Sequence, residues 1–363
     1  GYDYGNSVQV TSDGGHIIAG QTNSFGAGAY DVYLIKTDSE GNMLWSQTYG
    51  STNRDEGHSV QVTSDGGYII AGSTQSFGAG GDDVYLIKTD SEGNMLWSQT
   101  YGGPDDDGGR SVQVTSDGGY IIAGYTYSFG AGKSDVYLIK TNSEGNMLWN
   151  QTYGGTGYDY GNSVQVTSDG GHIISGYSSP SGPSGYDFYL VKTDSGGNML
   201  WSQTYGGTTV DRSFSVQVTS DGGYIISGST ASWPFDESDV YLVKTDSEGN
   251  MLWSQTYGGT GYDGGFSVQV TSDGGYIIVG STYSFGASKS NVYLIKVQSS
   301  ISQPITTTTS TTTKTTPTTS TTTKTTPTTS TTIQIDPFIF PLLAIIIAIV
   351  ITGIAITFAH RRT

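Results

Sequence analysis

The chain has no cysteine in 363 residues. This absence excludes a disulfide scaffold, a thiolate zinc site and cysteine catalysis. Charged residues are also scarce, at 13%, and 32 acidic against 15 basic residues give a net charge of −17. This charge argues against nucleic acid as a partner, because phosphates need a basic protein face. The four histidines are scattered along the chain and form no Ser-His-Asp or zinc pattern.

An internal repeat dominates the first 299 residues. The tetrapeptide SDGG recurs every 52 residues, with its aspartates at Asp13, Asp65, Asp117, Asp169, Asp221 and Asp273. A period near 50 residues is typical of propeller blades. Each unit holds four β-prone runs (SVQV, YIIAGST, DVYLIKT and NMLWSQTY in one copy), separated by Gly, Asp, Asn and Ser turns. We predict an all-β protein, a six-bladed β-propeller of four-stranded blades over residues 1–299.

The sixth unit is shorter than the others. It ends after its third run, at Lys296-Val297, so we predict that the last blade lacks its outer strand. Gly1 aligns with the position that follows an outer strand, and neither an initiator Met nor a signal peptide is present. We therefore expect an export signal and at least one strand upstream, and a seventh blade upstream stays open.

Two stretches of each unit resemble the tryptophan-docking repeat of quinoprotein (PQQ-like) propellers, as in prokaryotic cell-surface proteins. They read SDGGYIIAGS at 64–73 and DVYLIKTDSEGNMLW at 83–97, although Asp90 lies one residue closer to Gly93 than that repeat has it. The resemblance implies that SVQV is the innermost strand and NMLWSQTY the outermost. It argues against dehydrogenase activity, because the paired cysteines of the quinoproteins are absent. It also implies a structural role between neighbouring blades for Trp45, Trp97, Trp149, Trp201 and Trp253.

The C-terminal part has a different composition. Residues 300–336 are rich in Thr and Pro, which predicts an extended and O-glycosylated stalk. Residues 337–359 carry no charge and are long enough for one transmembrane helix. The basic tail at 360–363 predicts a cytoplasmic C-terminus and an extracellular propeller, hence a single-pass protein of the cell membrane.

The variable parts of the repeat are the connections after the outer and second strands, which share one rim of a propeller. Variation on one face of near-identical units favours ligand binding there. One aspartate per unit lies in this rim and could form a calcium ring, although capping of its own turn is the simpler interpretation of a recurring residue. This series comprises Asp3, Asp55, Asp107, Asp159, Asp211 and Asp263. We predict no other cofactor. The candidate ligand-binding residues are Arg54, Asp55, Asp107, Arg110, Asp159, Arg212 and Trp233.

These features predict a non-catalytic binding or adhesion module for a glycan or a cell-surface protein. One alternative is an extracellular glycan-active hydrolase, in which Arg54, Arg110 and Arg212 would bind a carboxylate substrate. Near-identical units argue against it, because an active site needs a few blades to diverge. The other alternative is a purely structural component of the cell coat. Asn150 begins the one N-x-S/T sequon and is a glycosylation candidate on an outer strand.

Overall fold

The computed structural model describes residues 1–179, 185–232, 237–286 and 289–298. These residues form 23 strands and no helix. The strands are β1 (Asp3–Val10), β2 (His16–Thr22), β3 (Asp31–Thr37), β4 (Met43–Tyr49), β5 (Asp55–Val62), β6 (Tyr68–Thr74), β7 (Asp83–Thr89), β8 (Met95–Tyr101), β9 (Asp107–Val114), β10 (Tyr120–Thr126), β11 (Asp135–Thr141), β12 (Met147–Tyr153), β13 (Tyr158–Val166), β14 (His172–Ser179), β15 (Asp187–Thr193), β16 (Met199–Tyr205), β17 (Asp211–Val218), β18 (Tyr224–Ser232), β19 (Glu237–Thr245), β20 (Met251–Tyr257), β21 (Asp263–Val270), β22 (Tyr276–Thr282) and β23 (Asn291–Val297).

Each run of four consecutive strands forms one antiparallel sheet, in the order β1-β2-β3-β4 for the first blade. Among the described residues, five blades have four strands and the sixth has the three strands β21-β22-β23. The prediction of a six-bladed β-propeller whose last blade lacks its outer strand is therefore confirmed.

The middle strands of the blades are apolar on both faces because each blade is covered by its neighbours. All seven residues of β6 and all seven of β7 are buried. Ile69 and Leu86 belong to the cluster shared with the third blade, whereas Ile70 and Ile87 belong to the cluster shared with the first. The core is thus a series of apolar layers between blades.

The tryptophan of each outer strand lies against the following blade, as predicted. Trp97 packs on Tyr120 with ring centroids 6.1 Å apart, and a Cβ built on Gly145 would meet the Trp97 ring at 2.7 Å. The Tyr101 hydroxyl donates to the Gly145 carbonyl at 2.5 Å. Corresponding ring contacts are made by Trp45, Trp149, Trp201 and Trp253.

The SDGG turns lie on the rim opposite the variable loops and hold a recurring ion pair. Lys88 of β7 is buried and donates to Asp65 at 2.8 Å. Gly66 adopts a φ of 82°, which the tight turn requires and glycine tolerates. Burial alone would raise the pKa of Asp65, but hydrogen bonds from Lys88, Thr63 and the Gly67 amide lower it to about 2. Every blade has this pair, so it stabilises the repeat and marks no particular blade.

One face of the sixth blade, seen in its third strand β23, is more exposed than the same face of the fifth blade. Val292 is 73% exposed and Leu294 is 43% exposed, whereas the equivalent Val240 and Leu242 of the fifth blade are 0% exposed. The five interfaces between successive blades are therefore closed, while this face of the sixth blade is not covered to the same extent by the described residues.

The predicted stalk at 300–336, the predicted membrane span at 337–359 and the tail at 360–363 lie outside the described residues. Within the residues that are described, no helix is long and apolar enough to cross a membrane.

Candidate functional site

A β-bulge in each innermost strand sets up the candidate site. In β5, Gly57 pairs with Gly72 and Ser59 pairs with Ala71, so His58 between them is the extra residue. The same register shift occurs in all six blades. A bulge redirects one side chain and ends regular pairing, and bulges are common beside binding sites. We call the six bulge residues the bulge ring: Asn6, His58, Arg110, Asn162, Phe214 and Phe266.

Below the bulge ring, the innermost strands line a narrow polar channel of about 50 Å³. Each blade contributes the glutamine of its SVQV run to this channel, which confirms SVQV as the innermost strand. The serine of the same run joins neighbouring blades, since Ser59 Oγ accepts a hydrogen bond from the Val112 amide at 3.2 Å. The channel-lining glutamines are Gln9, Gln61, Gln113, Gln165, Gln217 and Gln269.

At the bulge ring the channel widens into a cavity of about 480 Å³, which we call the mouth cavity. Its size falls in the range of about 300–1,000 Å³ that small-ligand pockets occupy. The identical glutamines below and the unlike residues here make the mouth the most asymmetric part of the channel. The cavity is lined by Asn6, Gln21, Glu56, His58, Arg110, Tyr160, Asn162, Tyr177, Arg212, Phe214 and Phe266.

Tyrosines of the third and fourth blades form a continuous arc at this mouth. Tyr160 lies 5.3 Å from Tyr125 and 4.8 Å from Tyr177, and Tyr177 lies 5.1 Å from Tyr186, all between ring centroids. We call Tyr125, Tyr160, Tyr177 and Tyr186 the tyrosine arc. Burial raises the pKa of Tyr177 to about 12, so its hydroxyl stays protonated at neutral pH.

An arginine lies over each end of the tyrosine arc. The Arg110 guanidinium is 5.3 Å from the Tyr125 ring centroid, and the Arg212 guanidinium is 4.9 Å from the Tyr186 centroid. Such cation–π contacts hold a guanidinium by its face and leave its edge for hydrogen bonds. In Arg110, one edge donor, Nη1, contacts His58 Nε2 at 3.2 Å, and the other donors stay available. Both arginines are exposed on the surface of the cavity.

Glu56 and His58 occupy the adjoining wall. Glu56 Oε1 accepts from Arg54 Nε at 2.8 Å and from Gln21 Nε2 at 2.8 Å, so Arg54 is neutralised at the edge of the cavity. Burial, together with the charges of Arg110 and Arg54, holds the pKa of His58 well below its usual value. The imidazole is therefore neutral and sits 3.2 Å from Arg110 Nη1.

The rim aspartates have structural partners. Asp55 is 0% exposed and accepts hydrogen bonds from Thr74 Oγ1, from Ser76 Oγ at 2.7 Å and from the Ser51 amide at 2.9 Å. Asp107 and Asp159 are equally buried and accept from the amides of Gly103 and Gly155. These three residues were predicted to bind a ligand, but burial leaves them no ligand-facing surface and favours the turn-capping alternative.

The calcium ring is not assembled either. Asp211 and Asp263 are buried like Asp55, and Asp3 accepts from Thr22 and Ser24 within its own blade. Among the described residues, no three His, Cys, Asp or Glu side chains are grouped in a way that could hold a metal ion. The described residues therefore give no support to a calcium site on this rim.

Each of these buried aspartates lies next to a glycine, and the carboxylate of a second aspartate lies next to the same glycine. A Cβ built on Gly154 would lie 2.4 Å from Asp159 Oδ2 and 2.5 Å from Asp135 Oδ1, so the two carboxylates face each other across the glycine. Burial, and to a smaller extent the charge of Asp135, raises the pKa of Asp159. Asp159 therefore responds to pH in the opposite sense to Asp65 of an SDGG turn.

This contrast gives a pH prediction. A lowered carboxyl pKa stabilises the fold above the unfolded pKa, so the penalty of Asp65→Asn should be largest at neutral pH and shrink between about pH 4 and 2. A raised pKa stabilises at acidic pH and is lost as pH rises, so the penalty of Asp159→Asn should be largest in acid and shrink toward neutrality. Urea unfolding at a series of pH values measures both, and parallel pH profiles would contradict the assignment.

The structure brings together only part of the predicted set. Arg110 and Arg212 line the mouth cavity and Arg54 borders it through Glu56. Trp233 lies outside the described residues. Asn150 is exposed on the outer strand β12, where a glycan has room to project.

Several cavity residues were missed in the sequence, notably Glu56, His58, Tyr177, Phe214 and Phe266. A signal exists for all of these except Tyr177, which lies in the second strand of its blade. The residue directly before Ser-Val-Gln-Val is Asn, His, Arg, Asn, Phe and Phe in the six blades, and the residue two positions before that one is Tyr, Glu, Gly, Tyr, Arg and Gly. The run itself is constant. Once the bulge is known, the variable residues before the constant Ser-Val-Gln-Val run can be assigned to the mouth of the channel.

No family model matches the chain. The regulatory protein FlaEY of Caulobacter vibrioides is 26% identical over 198 residues, covering 47% of this chain and 20% of that protein. The chain thus spans about a fifth of the curated relative that it matches. Two propeller structures are similar to it: the β-propeller domain of the Trilobed protease from Pyrococcus furiosus (TM-score 0.45, 10% identity, 81% of each chain), and PorZ, a bacterial surface component of the type-IX secretion system of Porphyromonas gingivalis (TM-score 0.45, 10% identity, 79% of this chain and 39% of that one). Similarity at this level says nothing about ligand or activity.

Proposed function

We propose that this protein is a non-catalytic binding module that takes a glycan, or an exposed segment of a surface protein, into the mouth cavity of its propeller. The proposal rests on where the six blades differ from one another in sequence. Six blades share near-identical strands, turns and channel glutamines, yet the bulge ring carries amide, imidazole, guanidinium and phenyl groups. A protein that only packed laterally in a cell coat would have no use for different side chains around its central channel.

The cellular location in this proposal is inferred from the C-terminal part of the chain. The Thr-rich stalk at 300–336 and the apolar segment at 337–359 fit a propeller held outside the cell membrane, with the tail at 360–363 in the cytoplasm. The tyrosine arc supports recognition rather than chemistry, since aromatic rings beside polar groups are typical of binding surfaces. Nucleic acid is not a partner in this proposal, because the net charge of −17 would repel it.

The test uses the 363-residue chain and a panel of surface polysaccharides, with and without Ca²⁺. Retention of the protein and released sugar are read in the same experiment. We expect retention without released sugar. Released sugar would favour the hydrolase alternative, and loss of retention in EDTA would restore a role for calcium. Absence of retention on every polysaccharide and on intact cell surfaces would contradict the proposal.

A further inference from the structure

We propose that the mouth cavity binds an acidic saccharide, with carboxylates of the sugar on Arg110 and Arg212 and sugar rings on the tyrosine arc between them. This inference rests on the proposed function and names the chemical class of its ligand. Three independent features of the mouth cavity lead to it: its charge, its aromatic wall and its shape.

The distribution of basic residues gives the first argument. Residues 1–299 contain only three arginines, and all three lie at the mouth of the channel. Six lysines of the same region are committed to the SDGG aspartates on the other rim. Arg54 pairs with Glu56. Within the described part of the chain, Arg110 and Arg212 have no carboxylate within ion-pair distance, although acids outnumber bases twofold in the protein. Two unneutralised guanidiniums in one cavity fit an anionic ligand.

The mode of anchoring gives the second argument. A guanidinium stacked on a tyrosine ring keeps its orientation and presents a planar fork of N–H donors at its edge. That fork matches a carboxylate in two parallel hydrogen bonds. Arg110 and Arg212 are both held in this way, at opposite ends of the same arc. The ligand that fits them has planar acid groups separated by a body that can lie on aromatic rings.

The walls between the arginines suit a sugar. Tyr160 and Tyr177 of the tyrosine arc line the cavity and offer aromatic rings to the C–H faces of a pyranose. The Tyr177 hydroxyl remains a protonated donor, because burial raises its pKa to about 12. The amide side chains of Asn6, Gln21 and Asn162 line the same cavity and offer hydrogen-bonding groups for sugar hydroxyls. Phe214 and Phe266 of the fifth and sixth blades also line the cavity, as an edge-to-face pair with ring centroids 5.4 Å apart.

The shape and the overall charge limit the size of the ligand. The mouth cavity of about 480 Å³ narrows below the bulge ring to a channel of about 50 Å³. A ligand therefore enters from the rim and ends at the glutamines. Because the net charge is −17, a densely charged polyanion would be repelled outside the cavity. We infer a short acidic oligosaccharide that offers one carboxylate to each arginine.

Calorimetric titration of the 363-residue chain tests this assignment with three matched probes. They are a uronic-acid oligosaccharide, the same oligosaccharide with its carboxyl groups reduced to alcohols, and an oligosaccharide that carries sulfate esters but no carboxyl group. We expect the carboxylated probe to bind at least about tenfold more tightly than the reduced one, because charge-assisted hydrogen bonds are lost on reduction. Equal binding of the reduced probe, or tighter binding of the sulfated one, would overturn the inference while leaving the proposed function intact.

Variants locate the binding groups. Arg110→Gln and Arg212→Gln should each weaken the carboxylated probe by about tenfold to a hundredfold, with little effect on the reduced probe. Lys133→Gln is the matched control, because Lys133 also lies over a tyrosine ring (4.9 Å from Tyr158) but does not line the mouth cavity. Unchanged thermal melting shows that the arginine variants fold. If wild-type protein binds none of the probes yet is retained on a protein surface, the acidic-saccharide assignment is wrong; if it is retained on nothing, the proposed function fails as well.

Discussion

Gly154→Ala is expected to destabilise the propeller by about 1–3 kcal/mol, while Gly155→Ala at the next position is expected to be neutral or slightly stabilising. The two glycines are neighbours in one rim loop, but they meet different surroundings. A methyl group on Gly154 would be placed 2.4 Å from Asp159 Oδ2 and 2.5 Å from Asp135 Oδ1, whereas a methyl group on Gly155 meets nothing within 4 Å.

The cost at Gly154 arises because its neighbours cannot move aside. Asp159 is buried and is held by the Gly155 amide at 2.8 Å, and Asp135 is held by the Gly132 amide at 3.0 Å. Displacing either carboxylate breaks hydrogen bonds in a buried site. Urea unfolding of both variants at neutral pH measures the difference. Equal stabilities would show that the rim pair is looser than the structure has it.

The repeat period made the architecture predictable from the sequence. A 52-residue interval, four β-prone runs and a missing final run lead directly to five four-stranded blades and one three-stranded blade. The position of the tryptophans follows for the same reason, because a residue repeated in every outer strand can only meet its neighbours in the same way each time.

The site was less predictable because it depends on a register shift. Asp55, Asp107 and Asp159 recur at the rim and look like ligands in the sequence, yet recurrence reflects their buried role in every blade. His58 and Phe214 look like ordinary strand residues, since an extra residue in a strand is visible only when its pairing partner is known. The bulge turns a minor variation before SVQV into a ring of unlike side chains around the channel.

The two rims of the propeller therefore differ in kind. The SDGG rim repeats one ion pair six times, which stabilises each blade and distinguishes none of them. On the other rim, the buried aspartates recur from blade to blade, whereas the loop residues above them differ. Under the proposed function, stability and recognition are separated along the channel axis, so substitutions in the mouth cavity should change binding with little change in stability.

The strength of the contact between blades can be measured with two tryptophans of the same repeat. Trp97→Ala should cost about 3–5 kcal/mol, the usual range for truncating a packed tryptophan. Trp97 contacts Tyr120 and the Gly145 turn of the next outer hairpin. Trp253 contacts Tyr276 at a similar distance, 6.0 Å, but the following blade has three strands and the described residues include no outer hairpin there.

Trp253→Ala should therefore cost less than Trp97→Ala, and the difference measures the contribution of the outer hairpin. The neighbouring tyrosines support this expectation. Tyr101 donates to the Gly145 carbonyl, whereas Tyr257 bonds within its own strand to Gln255 and is more exposed. Thermal melting and urea unfolding of the two variants make the comparison, with Trp201→Ala as a further full interface that should match Trp97→Ala. If all three substitutions cost the same, the tryptophans act through the second strand of the next blade alone, and the outer hairpin contributes nothing to the stability of the interface.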